Sequence, residues 1–264
     1  MSVAVPGVLE AHLRARRAEG RKLLVAYVTG GMAADWVDVV HAVADAGADA
    51  VEVGIPFSDP MMDGPTIQEA SIRALERGTT PGALVDALGR TEVGVPLAVM
   101  TYYNIVFRAG HRRFARSLAD AGIAGAIVPD LPLDECGPWL VEADAAGVES
   151  VLLVAPSTPD DRARAICERS RGFVYGVGTM GVTGERAALA STAAAVATRL
   201  RRLSDKPVCI GIGVSSPEQA AEVCAVSDGV VVGSALVRRL LEGGGPAAAA
   251  GFVAELRAGI DAVA

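Results

Sequence analysis

The chain has 264 residues, of which 51% are hydrophobic and 21% are charged, and its formal net charge is −7. This length and composition indicate a globular protein, and the negative charge argues against nucleic acid or an anionic membrane surface as a partner. The N-terminal segment MSVAVPGVLEAHLRARRAEG lacks the apolar run of a signal peptide or a membrane span, so we expect a cytoplasmic protein.

Short runs of β-branched residues alternate with longer Ala-rich amphipathic stretches along the whole chain. An N-terminal helix is predicted at 5–19. The β-branched runs predict eight strands at 23–29, 49–54, 96–102, 125–130, 149–155, 172–177, 207–212 and 228–234. The intervening patterns predict helices at 35–46, 67–77, 113–121, 162–169, 191–203 and 217–226, and a last helix from Pro246 onward.

Eight βα units in about 250 residues are typical of a closed (β/α)8 TIM barrel. An open doubly wound sheet usually has fewer strands and a GxGxxG turn after the first strand, whereas here that strand leads into Thr29-Gly30-Gly31-Met32. Linkers and low-complexity tracts are not evident. We therefore predict a single α/β barrel domain over 1–264, with the extra N-terminal helix placed to close the bottom of the barrel.

The active site of such a barrel lies at the C-terminal ends of its strands. Lys22 and Lys206 immediately precede strands one and seven, which places them at the opposite face. A Schiff-base aldolase needs a desolvated lysine at the mouth, so this position argues against that mechanism. The four cysteines form no CxxC pair and are interpreted as reduced packing residues.

A glutamate interrupts the second predicted strand, DAVEVG. The two-residue period of a strand points Glu52 into the barrel and Val51 and Val53 toward the helices. Removing water from an ionised carboxylate costs several kcal/mol unless it is compensated. Glu52 is therefore either a catalytic group or a structural glutamate satisfied by backbone donors or an arginine.

The loop after this strand, IPFSDPMMDGP, carries a second acidic candidate, Asp63. Thr66 is predicted to cap the helix that begins near Ile67. Glu52 and Asp63 together suggest paired carboxylates with separate acid–base and charge-stabilising roles. A magnesium ion held by Glu52, Asp59 and Asp63 is the alternative.

Glycine-rich turns follow the last three strands at 181–184, 211–216 and 233–237. Backbone amides in such turns, beside a helix N-terminus, bind phosphate without a cationic side chain. The loops after strands seven and eight are the recurrent phosphate site of these barrels. The sequence therefore predicts a phosphorylated small-molecule substrate.

The strings VEVGIPFSDPMMDGPTIQEA, YGVGTMGVTG, GIGVSSPEQ and VVVGSA resemble the tryptophan synthase alpha chain family, in order and over nearly the whole chain. The resemblance implies retro-aldol cleavage of indole-3-glycerol phosphate to indole and glyceraldehyde 3-phosphate, with neither a metal nor an organic cofactor. Met62, Ile212, Gly176 and Gly178 depart from the family's usual residues, and the two glycines suggest a loose strand-six loop.

The resemblance also implies roles for individual residues. Glu52 would be the acid–base catalyst, and Asp63 would stabilise the positively charged indolenine tautomer at N1. The remaining substrate-binding positions implied are Tyr175 lining the site, Thr183 closing over it, and Gly184, Gly213, Gly233 and Ser234 at the phosphate. Tyr27, Met100 and Ile127 are candidates for the apolar wall around the indole, although simple core packing explains each equally well.

Members of this family usually act beside a beta chain in an alpha-beta-beta-alpha assembly, and some relatives release free indole alone. The resemblance places Asp59, Asn104 and Pro132 on the surface that docks the beta chain. A metal-dependent phosphosugar aldolase and a non-catalytic phosphate-ligand sensor remain alternatives at this point.

Overall fold

The computed structural model describes residues 5–178, 186–211 and 213–263, with 186–191 described by their backbone alone. Eight parallel strands close into a barrel in sequence order, because β1 pairs with both β2 and β8. The strands are β1 Leu23–Thr29, β2 Ala50–Gly54, β3 Leu97–Met100, β4 Gly125–Ile127, β5 Glu149–Val154, β6 Val174–Val177, β7 Val208–Gly211 and β8 Gly229–Val232. The predicted TIM barrel and all eight of its strands are confirmed.

Helices surround the barrel in the described part of the chain. They are α1 Val8–Ala18, α2 Trp36–Asp45, α3 Pro65–Glu76, α4 Pro81–Leu88, α5 Tyr103–Ala109, α6 His111–Asp120, α7 Gly137–Ala146, α8 Asp160–Arg169, α9 Arg186–Leu203, α10 Pro217–Val226, α11 Ser234–Leu241 and α12 Gly245–Asp261. The predicted cap at Thr66 is wrong. Helix α3 begins at Pro65 with Gly64 as its N-cap, because a proline is favourable at the first helical position, and Thr66 lies inside the first turn.

The strand side chains alternate between two cores. Val51 and Val53 pack in the layer between sheet and helices, and Ala50 packs inside the barrel. The predicted orientation of β2 is thus confirmed.

Helix α1 closes the bottom of the barrel, as predicted. Its Leu9 and Leu13 are fully buried in the interior cluster. The Glu149 carboxylate holds the start of this helix by accepting from Leu9 N at 2.6 Å and from Glu10 N at 3.1 Å. These contacts of α1 therefore stabilise the end of the barrel that lies opposite to the C-terminal ends of the strands.

Both lysines lie at this bottom face. Lys22 Nζ donates to Ser227 O at 2.9 Å, and Lys206 Nζ donates to Cys167 O at 2.7 Å. The four cysteines are buried and unbridged, as predicted. Within the described ranges, every helix is too short or too polar to cross a membrane.

Candidate active site

Strand β2 places Glu52 inside the barrel. Glu52 lies in register with Tyr27 of β1 and Ala98 of β3, and only 1% of its surface is exposed. Its Oε2 atom has no hydrogen-bond partner among residues 5–178, 186–211 and 213–263. A structural glutamate satisfied by backbone donors or an arginine would not leave this oxygen free, since buried polar groups are normally paired.

The environment of Glu52 favours its protonated form. Burial, and secondly the charge of Asp63, raise the pKa of Glu52 to about 8. Both causes act in the same direction, because desolvation and a neighbouring carboxylate each disfavour the anion. Glu52 is therefore mainly neutral at pH 7 and can donate a proton there.

Asp63 lies at the end of the loop between β2 and α3 and is half-buried. Gln68 Nε2 fixes its backbone by donating to Asp63 O at 2.8 Å. Burial raises the pKa of Asp63, while a hydrogen bond from Tyr102 acts in the opposite direction. The two predicted carboxylates thus meet at one site in different environments, which suits different roles.

Tyr102 is a site residue that the sequence analysis missed. Its hydroxyl accepts from Met62 N at 2.9 Å, and its ring stacks on Phe57 at a centroid distance of 5.1 Å. The sequence pattern placed residue 102 inside the third strand, but β3 ends at Met100 and Tyr102 is the N-cap of α5. The sequence pattern gave no signal for this early end of the strand, because the residues before Met100 are all apolar and do not alternate.

Two tyrosines line the barrel interior near Glu52. Tyr27 is 8% exposed, and Tyr175 is partly buried. Burial and then the Glu52 charge raise the pKa of Tyr175. The glycine at 211 makes room for this ring, because a Cβ there would lie 2.6 Å from the Tyr175 hydroxyl. Tyr175 therefore lies in the barrel interior near Glu52, and its contact with the substrate stays a prediction.

The other two candidates for the apolar wall around the indole, Met100 and Ile127, differ in their packing. Met100 contacts both the interior cluster and the cluster around Tyr27, which is consistent with a wall position. Ile127 is fully buried in the interior cluster that α1 closes, so core packing accounts for it. Gly176 lies within β6, where a Cβ would collide with Ile210, so packing rather than loop looseness explains this glycine.

Two of the predicted phosphate turns reach this end of the barrel. Gly233 is the N-cap of α11, and Ser234 is its first residue. A Cβ on Gly233 would lie 3.4 Å from Tyr27 Cβ, so this turn adjoins the ring that faces Glu52. Gly213 has a left-handed φ of +72° and open space around it. Thr183, Gly184 and Ile212 lie outside the described residues.

The predicted docking residues are exposed in the segments that follow three consecutive strands. Asp59 follows β2, Asn104 lies on α5 after β3, and Pro132 follows β4. A hydrogen bond joins the segments that follow β3 and β4, because Tyr103 N donates to Asp130 Oδ1 at 2.9 Å. The three residues thus lie at adjoining positions on the rim that contains Asp63.

The magnesium alternative gains no support from this geometry. Asp59 is exposed and its carboxylate accepts from Ser58 Oγ at 2.5 Å. In the described part of the chain, no group of three or more His, Cys, Asp or Glu residues is arranged to hold a metal ion.

Comparisons with known proteins show which family this chain is similar to. The sequence model of the family "Tryptophan synthase alpha chain" matches residues 13–256. A protein of that name from Thermobifida fusca (strain YX) is 44% identical over 269 residues, covering 97% of this chain and 99% of the relative. Another from Streptomyces coelicolor is 44% identical, covering 87% and 86%.

Solved structures give the same result. The structure of Mycobacterium tuberculosis tryptophan synthase in space group F222 matches with a TM-score of 0.90 and 40% identity, over 97% of this chain and 99% of that one. Tryptophan synthase subunit alpha from Legionella pneumophila str. Paris matches with a TM-score of 0.88 and 28% identity, over 98% and 100%.

Proposed function

The chain belongs to the tryptophan synthase alpha chain family, lyases that cleave indole-3-glycerol phosphate in tryptophan biosynthesis, and we propose that Glu52 and Asp63 carry out this cleavage. The observation that carries the proposal is the buried Glu52 carboxyl, with Oε2 unpartnered among the described residues and a pKa raised to about 8. A general acid or base works best with a pKa near the working pH.

The retro-aldol reaction needs two proton movements. Neutral Glu52 donates a proton to C3 of the indole, which gives the indolenine tautomer with positive charge at N1. The ionised Asp63 carboxylate accepts a hydrogen bond from N1–H and stabilises that charge as it develops. The Glu52 carboxylate then takes the proton of the glyceryl hydroxyl while the carbon–carbon bond breaks, releasing indole and glyceraldehyde 3-phosphate and restoring neutral Glu52.

The phosphate of the substrate is held by backbone amides. The N-terminus of α11 at Gly233 and Ser234 supplies N–H groups and the positive end of a helix dipole. Gly213 in the neighbouring loop supplies one further backbone N–H donor, because it has no side chain to block the anion. By analogy with the family motif, Gly184 also holds the phosphate, and Thr183 closes over the site.

A tryptophan synthase beta chain docks on the rim formed by Asp59, Asn104 and Pro132 and receives the indole, in an alpha-beta-beta-alpha assembly. The exposure of all three residues in the segments after adjoining strands supports this surface. The enzyme works in the cytoplasm without a metal or an organic cofactor, and residues 1–264 act as one barrel domain.

Purified chain incubated with indole-3-glycerol phosphate should release indole and glyceraldehyde 3-phosphate in equal amounts, with and without EDTA. Loss of turnover with EDTA and its recovery with magnesium would instead indicate a metal-dependent aldolase. Tight binding without turnover, even with a beta chain added, would indicate a non-catalytic sensor.

A further inference from the structure

A groove on the outer surface of the barrel runs between helices α6 and α7. The two helices pack on each other through the buried rings of Phe114 and Trp139, whose centroids lie 5.9 Å apart. Outside this contact lies an open space of about 900 Å³, which we call the α6–α7 groove. Its lining includes five charged side chains and one large apolar side chain, namely Arg112, Arg113, Arg116, Asp120, Glu142 and Val141.

Helix α6 carries its charges against its own dipole. Arg112 and Arg113 lie in its first turn, and Asp120 is its last residue. Cations are unfavourable at a helix N-terminus and anions at a C-terminus, because the N-terminus is the positive end of the dipole. All three residues and Arg116 are exposed, and none of the ion pairs between described residues includes any of them. The described part of the chain therefore does not compensate this unfavourable arrangement.

Three of these charged residues form one exposed ridge along α6. The spacing of Arg113, Arg116 and Asp120 places them on the same side of the helix, opposite to its buried side. The ridge is positive over its N-terminal half and negative at its C-terminal end. A two-fold axis that crosses the ridge near Ser117 would bring Arg113 of one copy opposite Asp120 of a second copy, and the reverse.

The charges of the groove favour a second copy of this chain over other occupants. An acidic peptide would be attracted by the arginines but repelled by Asp120 and Glu142, which line the same groove. An antiparallel α6 from a second copy instead meets each sign of charge with the opposite sign. Val141 on α7 is 65% exposed and supplies an apolar contact in the same groove.

We propose that the chain self-associates through the α6–α7 groove as a two-fold symmetric dimer, with α6 of one copy antiparallel to α6 of the other. The symmetry forms the pair of Arg113 and Asp120 twice, and it sets the two helix dipoles antiparallel. Glu142 offsets the charge of Arg116 near the axis. The contact is small and its charges are exposed, so the association is weak and sensitive to salt. This inference does not depend on the proposed lyase activity.

Exchanging the charges at positions 113 and 120 tests this pairing. Arg113→Asp and Asp120→Arg each place like charges opposite each other in the dimer, whereas the double variant restores opposite charges with their positions exchanged. Both substitutions agree with the dipole of α6, so every variant should fold at least as stably as the wild type in thermal unfolding. Arg202→Asp is the matched control, because Arg202 is an exposed arginine on α9 and lies outside the groove.

Sedimentation velocity over a range of protein concentrations measures the dimer directly. The wild type and Arg202→Asp should pass from monomer to dimer with the same dissociation constant, which should increase with salt. Each single variant should raise the dissociation constant about 10-fold, because the symmetry replaces two exposed ion pairs by two repulsions. The double variant should return the dissociation constant to the wild-type value.

Three results would overturn the proposal. The first is a wild type that stays monomeric up to about 1 mM, the weak end of specific association. The second is a dimer that both single variants leave unchanged, and the third is a double variant that associates no better than the single ones. Binding of poly-L-glutamate to a monomeric wild type, but not to Arg113→Asp, would assign the groove to an acidic segment of another partner instead. All of these outcomes are independent of indole release.

Discussion

Replacing Glu52 with glutamine tests whether this buried carboxyl is retained for chemistry. The variant keeps the shape of the side chain but can no longer exchange a proton with the substrate. Proton transfer by a positioned side chain typically contributes a factor of about 10² to 10⁴. Because Glu52 serves two steps in the proposed mechanism, we expect kcat to fall by at least this factor while binding of glycerol 3-phosphate is retained.

The structure also predicts how stability should depend on pH. A folded-state pKa of about 8, against an ordinary value of 4.5, means that the folded protein retains a proton that the unfolded chain releases. The stability contribution of Glu52 is therefore fully present below pH 4.5 and declines as the pH rises to 8. The shift corresponds to a loss of up to about 5 kcal/mol over that window.

Glutamine does not titrate, so Glu52→Gln should lack this loss. Urea unfolding at pH 5 should give similar free energies for the wild type and the variant, and at pH 8 the variant should be the more stable protein. Glu149→Gln is the matched control, because that buried glutamate accepts from Leu9 N and Glu10 N at the barrel bottom. It should lose stability while keeping its activity per folded molecule.

A structural role for Glu52 predicts the opposite pattern. Loss of one partner of a buried ion pair costs about 3 to 5 kcal/mol. A Glu52→Gln protein that unfolds much more readily at pH 8, yet retains wild-type indole release per folded molecule, would refute the catalytic assignment.

Two further predictions concern the phosphate turns and the partner surface. Gly213→Asp and Gly233→Asp should each strongly weaken the binding of glycerol 3-phosphate measured by calorimetry, because they add bulk and negative charge where the anion approaches. The control variant Lys206→Ala, at the barrel bottom, should bind glycerol 3-phosphate normally. Loss of phosphate binding in Lys206→Ala would mean that the two barrel faces are assigned wrongly. Asp59→Ala should reduce activation by a beta chain more than basal indole release, and an equal fall in both rates would argue against an interface role.

The strands were predictable because buried parallel strands are continuous runs of β-branched residues. The Val51, Glu52 and Val53 alternation also located the catalytic candidate, since a strand has a fixed period of two. Helices α4, α5, α7 and α11 were not predicted. Helix α5 has only seven residues, and α7 has little amphipathic character to separate it from its neighbours.

The contacts of Asp63 could not be predicted from the sequence. Tyr102 is 39 residues further along the chain, and its approach to Asp63 follows from the pairing of β2 with β3. The stacking of Phe57 on Tyr102 likewise depends on the path of an irregular loop. Local sequence patterns indicate the hydrophobic periodicity and the structural propensity of a single helix or strand, whereas these contacts depend on tertiary packing.

The most direct measurement of the central claim is the time course of indole release from indole-3-glycerol phosphate, comparing the wild-type chain with Glu52→Gln and Asp63→Asn in the presence of EDTA. The account predicts stoichiometric indole and glyceraldehyde 3-phosphate from the wild type, with both variants folded, able to bind glycerol 3-phosphate and nearly inactive. Wild-type turnover in either folded variant would contradict the assignment of these two carboxylates as the catalytic pair.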